Sequence, residues 1–219
     1  MARTLTHDEA KVFYDRLGRR QDSQAIYEDR ATAALIARGD FAKARAIFEF
    51  GCGTGRFAEL LLARHLGQDC SYRAVDVSTT MVDLARRHLA KWGDRAEVRQ
   101  TTGAIEVPAA EASCDRFIAC YVLDLLSDDD IRALIAEARR VLVPSGLLCT
   151  TGLTPGRSVP ARLVMGTWQA VHRLNPKLVG GCRPVEVRRY LSEGGWRIRH
   201  HEVVQRFGIS SEVLVAARL

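Results

Sequence analysis

Three glycines in five positions, Gly51, Gly53 and Gly55, separate an apolar run, AIFEF (46–50), from a helical one, RFAELLLARHL (56–66). Glycine at a strand–helix joint lets the backbone turn sharply and approach a ligand with no Cβ in the way. The helix that follows points its N-terminus at the same place, which favours a negative group. Two carboxylates frame the joint. Glu49 sits inside the first apolar run, and Asp76 closes the apolar stretch of a second, YRAVDV (72–77). An acid there is placed to accept hydrogen bonds from ribose hydroxyls. The dinucleotide fingerprint G-x-G-x-x-G does not fit, because the third glycine falls one residue early and Arg56 takes its place. Glu49 would repel a pyrophosphate and attract an ammonium group.

The elements that must hold these residues follow a repeating order. AIFEF reads as a strand, and Phe57, Leu60, Leu61 and Leu66 recur at helical spacing after it. YRAVDV is the second strand, followed by a helix carrying Met81, Leu84, Ala85, His88 and Leu89 on one face. AEVRQT (96–101) and RFIACYV (116–122) are the third and fourth. Ser127, with Asp130 three residues on, opens a helix in the manner of a capping box. After PSG (144–146) comes the strand LLCTTG. A helix starting at Pro184 and stopped by Gly194-Gly195 precedes two successive strands, at about 196–204 and 212–218, which read as an antiparallel hairpin. The βαβ order predicts a parallel sheet with right-handed crossovers. Residues 7–38 read as two helices. Residues 153–183, with Pro155, Pro160 and Pro176, read as a long irregular insertion of the kind that caps a site. The expected division is an N-terminal helical lid (1–45) and an α/β core (46–219) with a cap at 153–183.

Taken together, E-x-G-C-G-T-G, VDVSTTMVDLAR (75–86) and CDRFIACYVLDLLSDDDIRALIAEARRVLVPSGLLCTT (114–151) resemble class I S-adenosylmethionine-dependent methyltransferases. The resemblance covers roughly 46–152 and 184–218. It implies a Rossmann-like, seven-stranded, mostly parallel sheet with an antiparallel last strand and helices on both faces. It implies S-adenosyl-L-methionine as cofactor. Glu49 would balance the cofactor's amino group, and the backbone of Gly51, Cys52, Gly53 and Gly55 would cradle the methionine moiety. Asp76 would hold the ribose diol, Val77 and Met81 would flank the adenine, and Cys120 and Tyr121 would lie beside the methionine part and the sulfonium. Members of the family often carry an acid after the third strand, in G-D-A-x-x-L-P. Here TGAIEVP (102–108) puts Gly103 in that position, which leaves the adenine to the backbone of Gly103 and Ala104.

The acceptor is less legible. The Asp/Asn-Pro-Pro-Tyr/Phe motif that serves exocyclic amines is replaced by ACYVLD (119–124). The N-terminal helices resemble the lid of ubiquinone/menaquinone, phospholipid and natural-product methyltransferases, which implies a small-molecule substrate. In FYDRLGRRQDSQAIYED (13–29), Tyr14, Arg19, Gln24 and Tyr27 are candidates to close over the site. Asp124, after the fourth strand, is a candidate to lie near the substrate, and Met165, Trp168 and His172 are candidates for the opposite wall. Packing roles for the aromatics and a capping role for Asp124 stay open. His200 and His201 have no acid partner legible in the sequence. A base is needed only for a nucleophile protonated at working pH, so no catalytic residue is assigned. Two other readings stay open: a protein that binds the cofactor or its homocysteine product without methyl transfer, and an RNA or protein methyltransferase.

Composition bounds the rest. The chain has 219 residues, 47% hydrophobic and 26% charged, enough for one sizeable core. Its net charge is +6 and its pI about 9.2. The arginine pairs at 19–20, 86–87, 139–140 and 188–189 fall in different helices with acids between them, so no nucleic-acid partner is expected. Six cysteines without a C-x-x-C, and without zinc spacing to histidine, read as free thiols with no metal site. MARTLTHDEAK lacks an apolar signal region, and no run of 18 apolar residues exists. A cytoplasmic monomer or homodimer without stable membrane insertion is expected.

Overall fold

A computed structural model describes residues 4–192 and 195–219, and for 22–27 the backbone alone. Its centre is β1 (Ala46–Phe50), which pairs in parallel with β2 (Ser71–Asp76) on one side and β4 (Cys114–Cys120) on the other. β3 (Ala96–Gln100) continues the sheet beyond β2, and β5 (Leu142–Leu153) beyond β4, both in parallel. β7 (Ile209–Arg218) runs antiparallel to β5, and β6 (Trp196–Arg206) closes that edge. The order is β3-β2-β1-β4-β5-β7-β6. This is the expected seven-stranded sheet with its last strand reversed. The order switches direction between β1 and β4, which opens a crevice at their carboxyl ends.

Strand alternation sorts β1 between two layers. Ile47 packs with Tyr72 against α2 (Ala25–Arg38), α3 (Arg56–Arg64) and α4 (Thr79–Leu89), through Leu35, Leu61 and Val82. Phe48 and Phe50 face the other side, against α5 (Asp128–Val141) and α7 (Arg188–Leu191), through Ile131, Leu134 and Leu191. There the rings of Phe48 and Phe117 stack 5.8 Å apart. α1 (His7–Leu17) packs on α4, with Tyr14 against Met81 and Leu84. α2 buries Ala31 and Leu35 in the main core, while its Glu28, Asp29 and Thr32, together with α1 and the segment after it, stand over the strand ends. α2 ends on β4: the buried Arg116 donates to the carbonyls of Gly39 (2.7 Å) and Asp40 (2.8 Å) just beyond the helix.

Two segments differ from expectation. The 153–183 stretch holds a sixteen-residue helix, α6 (Val159–Leu174), with Ser158 as N-cap and Pro160 in its first turn. Proline is tolerated there, so what reads as a breaker is a helix start. The helix expected from Pro184 begins four residues later, at Arg188. The N–H of Val185 donates to Leu153 O and that of Val187 to Glu212 Oε2, both at 2.8 Å, which ties the segment to the sheet ahead of the helix.

Gly55 shows why the glycine loop tolerates no side chain at its last position. Its φ is +80°, and a Cβ there would lie 2.9 Å from Cα of Ala85 on α4. Gly55→Ala is expected to cost about 1–3 kcal/mol from left-handed strain and helix displacement. Urea unfolding would show this as a lower midpoint at unchanged slope; a midpoint equal to wild type would refute the close approach of α3 and α4.

Candidate functional site

Register brings the first carboxylate to its partner. Glu49 lies opposite Ala74 on β2, and Tyr72, two residues before Ala74, points to the same face. The Tyr72 hydroxyl donates to Glu49 Oε2 at 2.9 Å, and both side chains are about 1% exposed. Burial raises the Glu49 carboxyl to about 8; the Tyr72 bond opposes the shift and the charge of Asp76 adds to it.

Asp76 organises the loop. Its Oδ2 accepts from the N–H of Gly53 and its Oδ1 from the N–H of Ser78, each at 2.9 Å. Burial holds its pKa above the usual carboxylate range, with these backbone bonds opposing. The N–H groups of Gly51 and Cys52 both reach Val75 O, at 2.8 and 3.0 Å. From α1, Asp15 Oδ1 accepts from Ser78 Oγ (2.6 Å) and from the N–H of Thr80 (3.1 Å), while Oδ2 accepts from Lys11 Nζ (2.7 Å). Burial opposes its ionisation, but these bonds together hold Asp15 at about 2. His88, at 2.8 Å from Thr54 O, fastens the far side of the loop.

Two cavities meet over this framework. The first, with about 840 Å³ of empty volume, is lined by Asp76, Val77, Gly103, Tyr14, His7 and Asp130 among others. The second, about 1320 Å³, is lined by Glu49, Cys52, Phe57, Arg56 and Glu28 among others. They share Gln21, Gly51, Gly53, Cys120 and Tyr121. Gln21 stands over the joint, where a Cβ on Gly53 would lie 3.6 Å from its Nε2. Its Oε1 is buried with no hydrogen-bond partner in the structure. His7 Nε2, 3.5 Å from Asp130 Oδ2, is in the same state at the outer end. Polar atoms left in this condition inside a cavity fit a polar ligand running from Gly103 to Glu49.

Other candidates lie elsewhere. Gly55 and Ala104 line neither cavity, and Met81 is fully buried against Tyr14 and Leu84. Gly103 has φ +91°, and a Cβ there would come within 2.6 Å of His7 Cβ, so α1 occupies the place of the missing acid. The Tyr14 hydroxyl donates to Gly180 O at 3.2 Å. The side chains of Gln24 and Tyr27 lie outside the described residues. Asp124, Trp168 and His172 sit behind the cavity walls. Asp124 Oδ2 accepts from the N–H of Leu153 (3.0 Å), and burial raises it to about 7. Trp168 Nε1 donates to Cys182 O (2.9 Å), and the His172 ring bonds Gly181 O (3.2 Å), its pKa lowered by burial. Burial pushes the Cys120 thiol up, which keeps it from acting as a thiolate. His200 and His201 do have acid partners, Glu202 and Glu212, at 2.9 and 2.7 Å. Tyr72, Asp15, Gln21 and His7 are not singled out by sequence; only Tyr72 carries a signal, a hydroxyl in a buried strand that needs a partner.

Residues 47–146 match the methyltransferase domain family. This stretch, from β1 into β5, is therefore similar to a methyltransferase domain. It is 25% identical over 172 residues to an O-methyltransferase of Pyrenophora dematioidea, covering 78% of this chain and 61% of that protein. The chain spans less than two thirds of the length of that relative. Among solved structures, the (4+2) cyclase SpnF matches with TM-score 0.74 at 17% identity, over 98% of this chain and 97% of that one. Geranyl diphosphate C-methyltransferase of Streptomyces coelicolor A3(2), solved with S-adenosyl-L-homocysteine, matches with TM-score 0.66 at 13% identity, over 88% and 79%.

The buried Glu49 makes ligand-free stability depend on pH. An unfolded glutamate loses its proton near 4.5, whereas the native group holds it to about 8. Between these values the native state binds more protons, so this contribution to stability falls as pH rises, by about 1.4 kcal/mol per unit. Thermal melts of wild type and Glu49→Gln should therefore diverge in favour of the variant from pH 5 to 8. A gap that stays constant with pH would contradict the raised pKa.

Proposed function

We propose that this protein transfers a methyl group from S-adenosylmethionine to a small-molecule acceptor by in-line displacement. The observation that carries the reading is the pair of cavities joined at the glycine loop, with Asp76 on one side and Glu49 on the other. The cofactor supplies a sulfonium-activated methyl group. Asp76 accepts from the ribose hydroxyls while keeping its bonds to Gly53 and Ser78. Glu49 meets the amino group, and Val77 and Gly103 border the adenine, with His7 and Asp130 at its edge. Gly51, Cys52, Cys120 and Tyr121 line the middle. Gln21 and Tyr14, from the N-terminal region, close over the joint and exclude water. Holding acceptor and methyl group in line supplies the catalytic advantage, which needs no charged catalytic side chain. The scattered arginine pairs and the two joined cavities favour a small molecule over a nucleic acid. A second reading, cofactor binding without methyl transfer, is favoured by the full-length likeness in fold to a protein named as a cyclase.

Calorimetry with S-adenosylmethionine should give binding that Asp76→Ala weakens about 10- to 100-fold, the worth of hydrogen bonds to a charged acceptor. Between pH 6 and 8, binding should release a proton, because an ammonium beside Glu49 draws it to the carboxylate. Titration in buffers of different ionisation enthalpy reads that proton, and Glu49→Gln should abolish it. No binding heat with wild type overturns the cofactor assignment. Binding without transfer of label from methyl-labelled cofactor to any component of a cell extract selects the second reading.

A further inference from the structure

α6 is apolar on two opposite sides. Its inner stripe, Ala161, Met165, Trp168 and His172, packs on the core. Its outer stripe, Val159, Leu163, Gly166, Ala170 and Leu174, recurs at the same helical spacing and carries no charge. Val159, Leu163 and Leu174 are 68%, 69% and 86% exposed. A helix that is hydrophobic all round is normally covered on both sides. The patch continues onto the β6–β7 turn, where Phe207 is 72% exposed and Gly208 abuts Val164. Phe207 has φ +53°, a left-handed position that Asn or Gly fills at lower cost. An exposed aromatic kept in a strained turn points to a use for the ring.

Charge identifies the occupant. No acidic residue lies between Glu137 and Glu186. Arg162 and Arg173 flank the outer stripe, Arg157 precedes the helix, and Arg206 stands over the Phe207 ring with its charge 5.2 Å from the centroid. Arg157, Arg162 and Arg173 are exposed and have no acidic partner among the described residues. A second copy docked through α6 would set these cations against one another with no acid in the segment to pair them. A nucleic acid would leave the apolar stripe uncovered. We propose that the outer face of α6, with Phe207, is a docking surface for an anionic lipid bilayer. The apolar side chains enter the headgroup boundary, and the arginines reach the lipid phosphates. No helix among the described residues is long and apolar enough to cross a membrane, so the contact is peripheral.

Cosedimentation of the full chain with phosphatidylcholine vesicles, with and without phosphatidylglycerol, tests this. Binding is expected to the anionic vesicles alone, and to fall steeply as salt rises. Leu163→Asp should abolish it, and Arg162→Ala and Arg173→Ala should each weaken it about fivefold. The positions are exposed, so unchanged melting temperatures confirm the fold. Absence of wild-type binding, or Leu163→Asp binding as well as wild type, overturns the proposal. So does a wild-type dimer in light scattering that Leu163→Asp splits into monomers, since the patch would then belong to a second copy.

Discussion

One carboxylate ties the site together. Asp76 accepts from Gly53 in the glycine loop and from Ser78 at the entrance of α4. Burying a carboxylate is costly unless it is hydrogen-bonded, and here backbone groups provide the bonds. Ser78 extends the connection, because its hydroxyl caps α4 at Met81 and donates to Asp15 on α1. The loop, the entrance of α4 and α1 therefore share one anchor. The position of Tyr14 and His7 over the cavity depends on the same group that lines its floor.

The acids of the site are held against their own charge. Glu49 is buried and Asp76 half-buried, the charge of Asp76 adds to the cost of ionising Glu49, and neither forms an ion pair among the described residues. A structural core would bury such groups beside cations or not at all. Acids that face a cavity with no cation beside them favour a cationic ligand over an anionic one, which separates this loop from a phosphate cradle.

The sheet and the helices α3, α4 and α5 were legible because their apolar positions repeat at one clear period between turn residues. The loop was legible because glycines and acids at a fixed spacing have few other uses. The partners that complete the site were not. Tyr72 meets Glu49 across 23 residues and Ser78 meets Asp15 across 63, distances over which only the fold creates proximity. Gly103 illustrates the same limit: its missing acid reads as a gap, while the structure fills the place with His7 from a different element. Met81 packs against Tyr14 of α1, a contact that periodicity alone cannot distinguish from one facing a cofactor.

α6 escaped notice for a different physical reason. Pattern reading works by contrast between a wet and a dry face, and α6 has apolar stripes on both sides of its axis. With three prolines around it, the segment resembles irregular chain. Yet its inner stripe is not remote from the site. Met165 and Trp168 pack in one cluster with Leu153, Cys182 and Tyr121, and Tyr121 lines both cavities. Ser158 at the start of α6 bonds Gln205 (3.0 Å), and the N–H of Ser210 reaches the Met165 sulfur (3.4 Å), so the helix is fastened to the β6–β7 hairpin that carries Phe207. The inner stripe of α6 and the cavity wall thus belong to one packed cluster, and the outer stripe lies on the opposite side of the same helix.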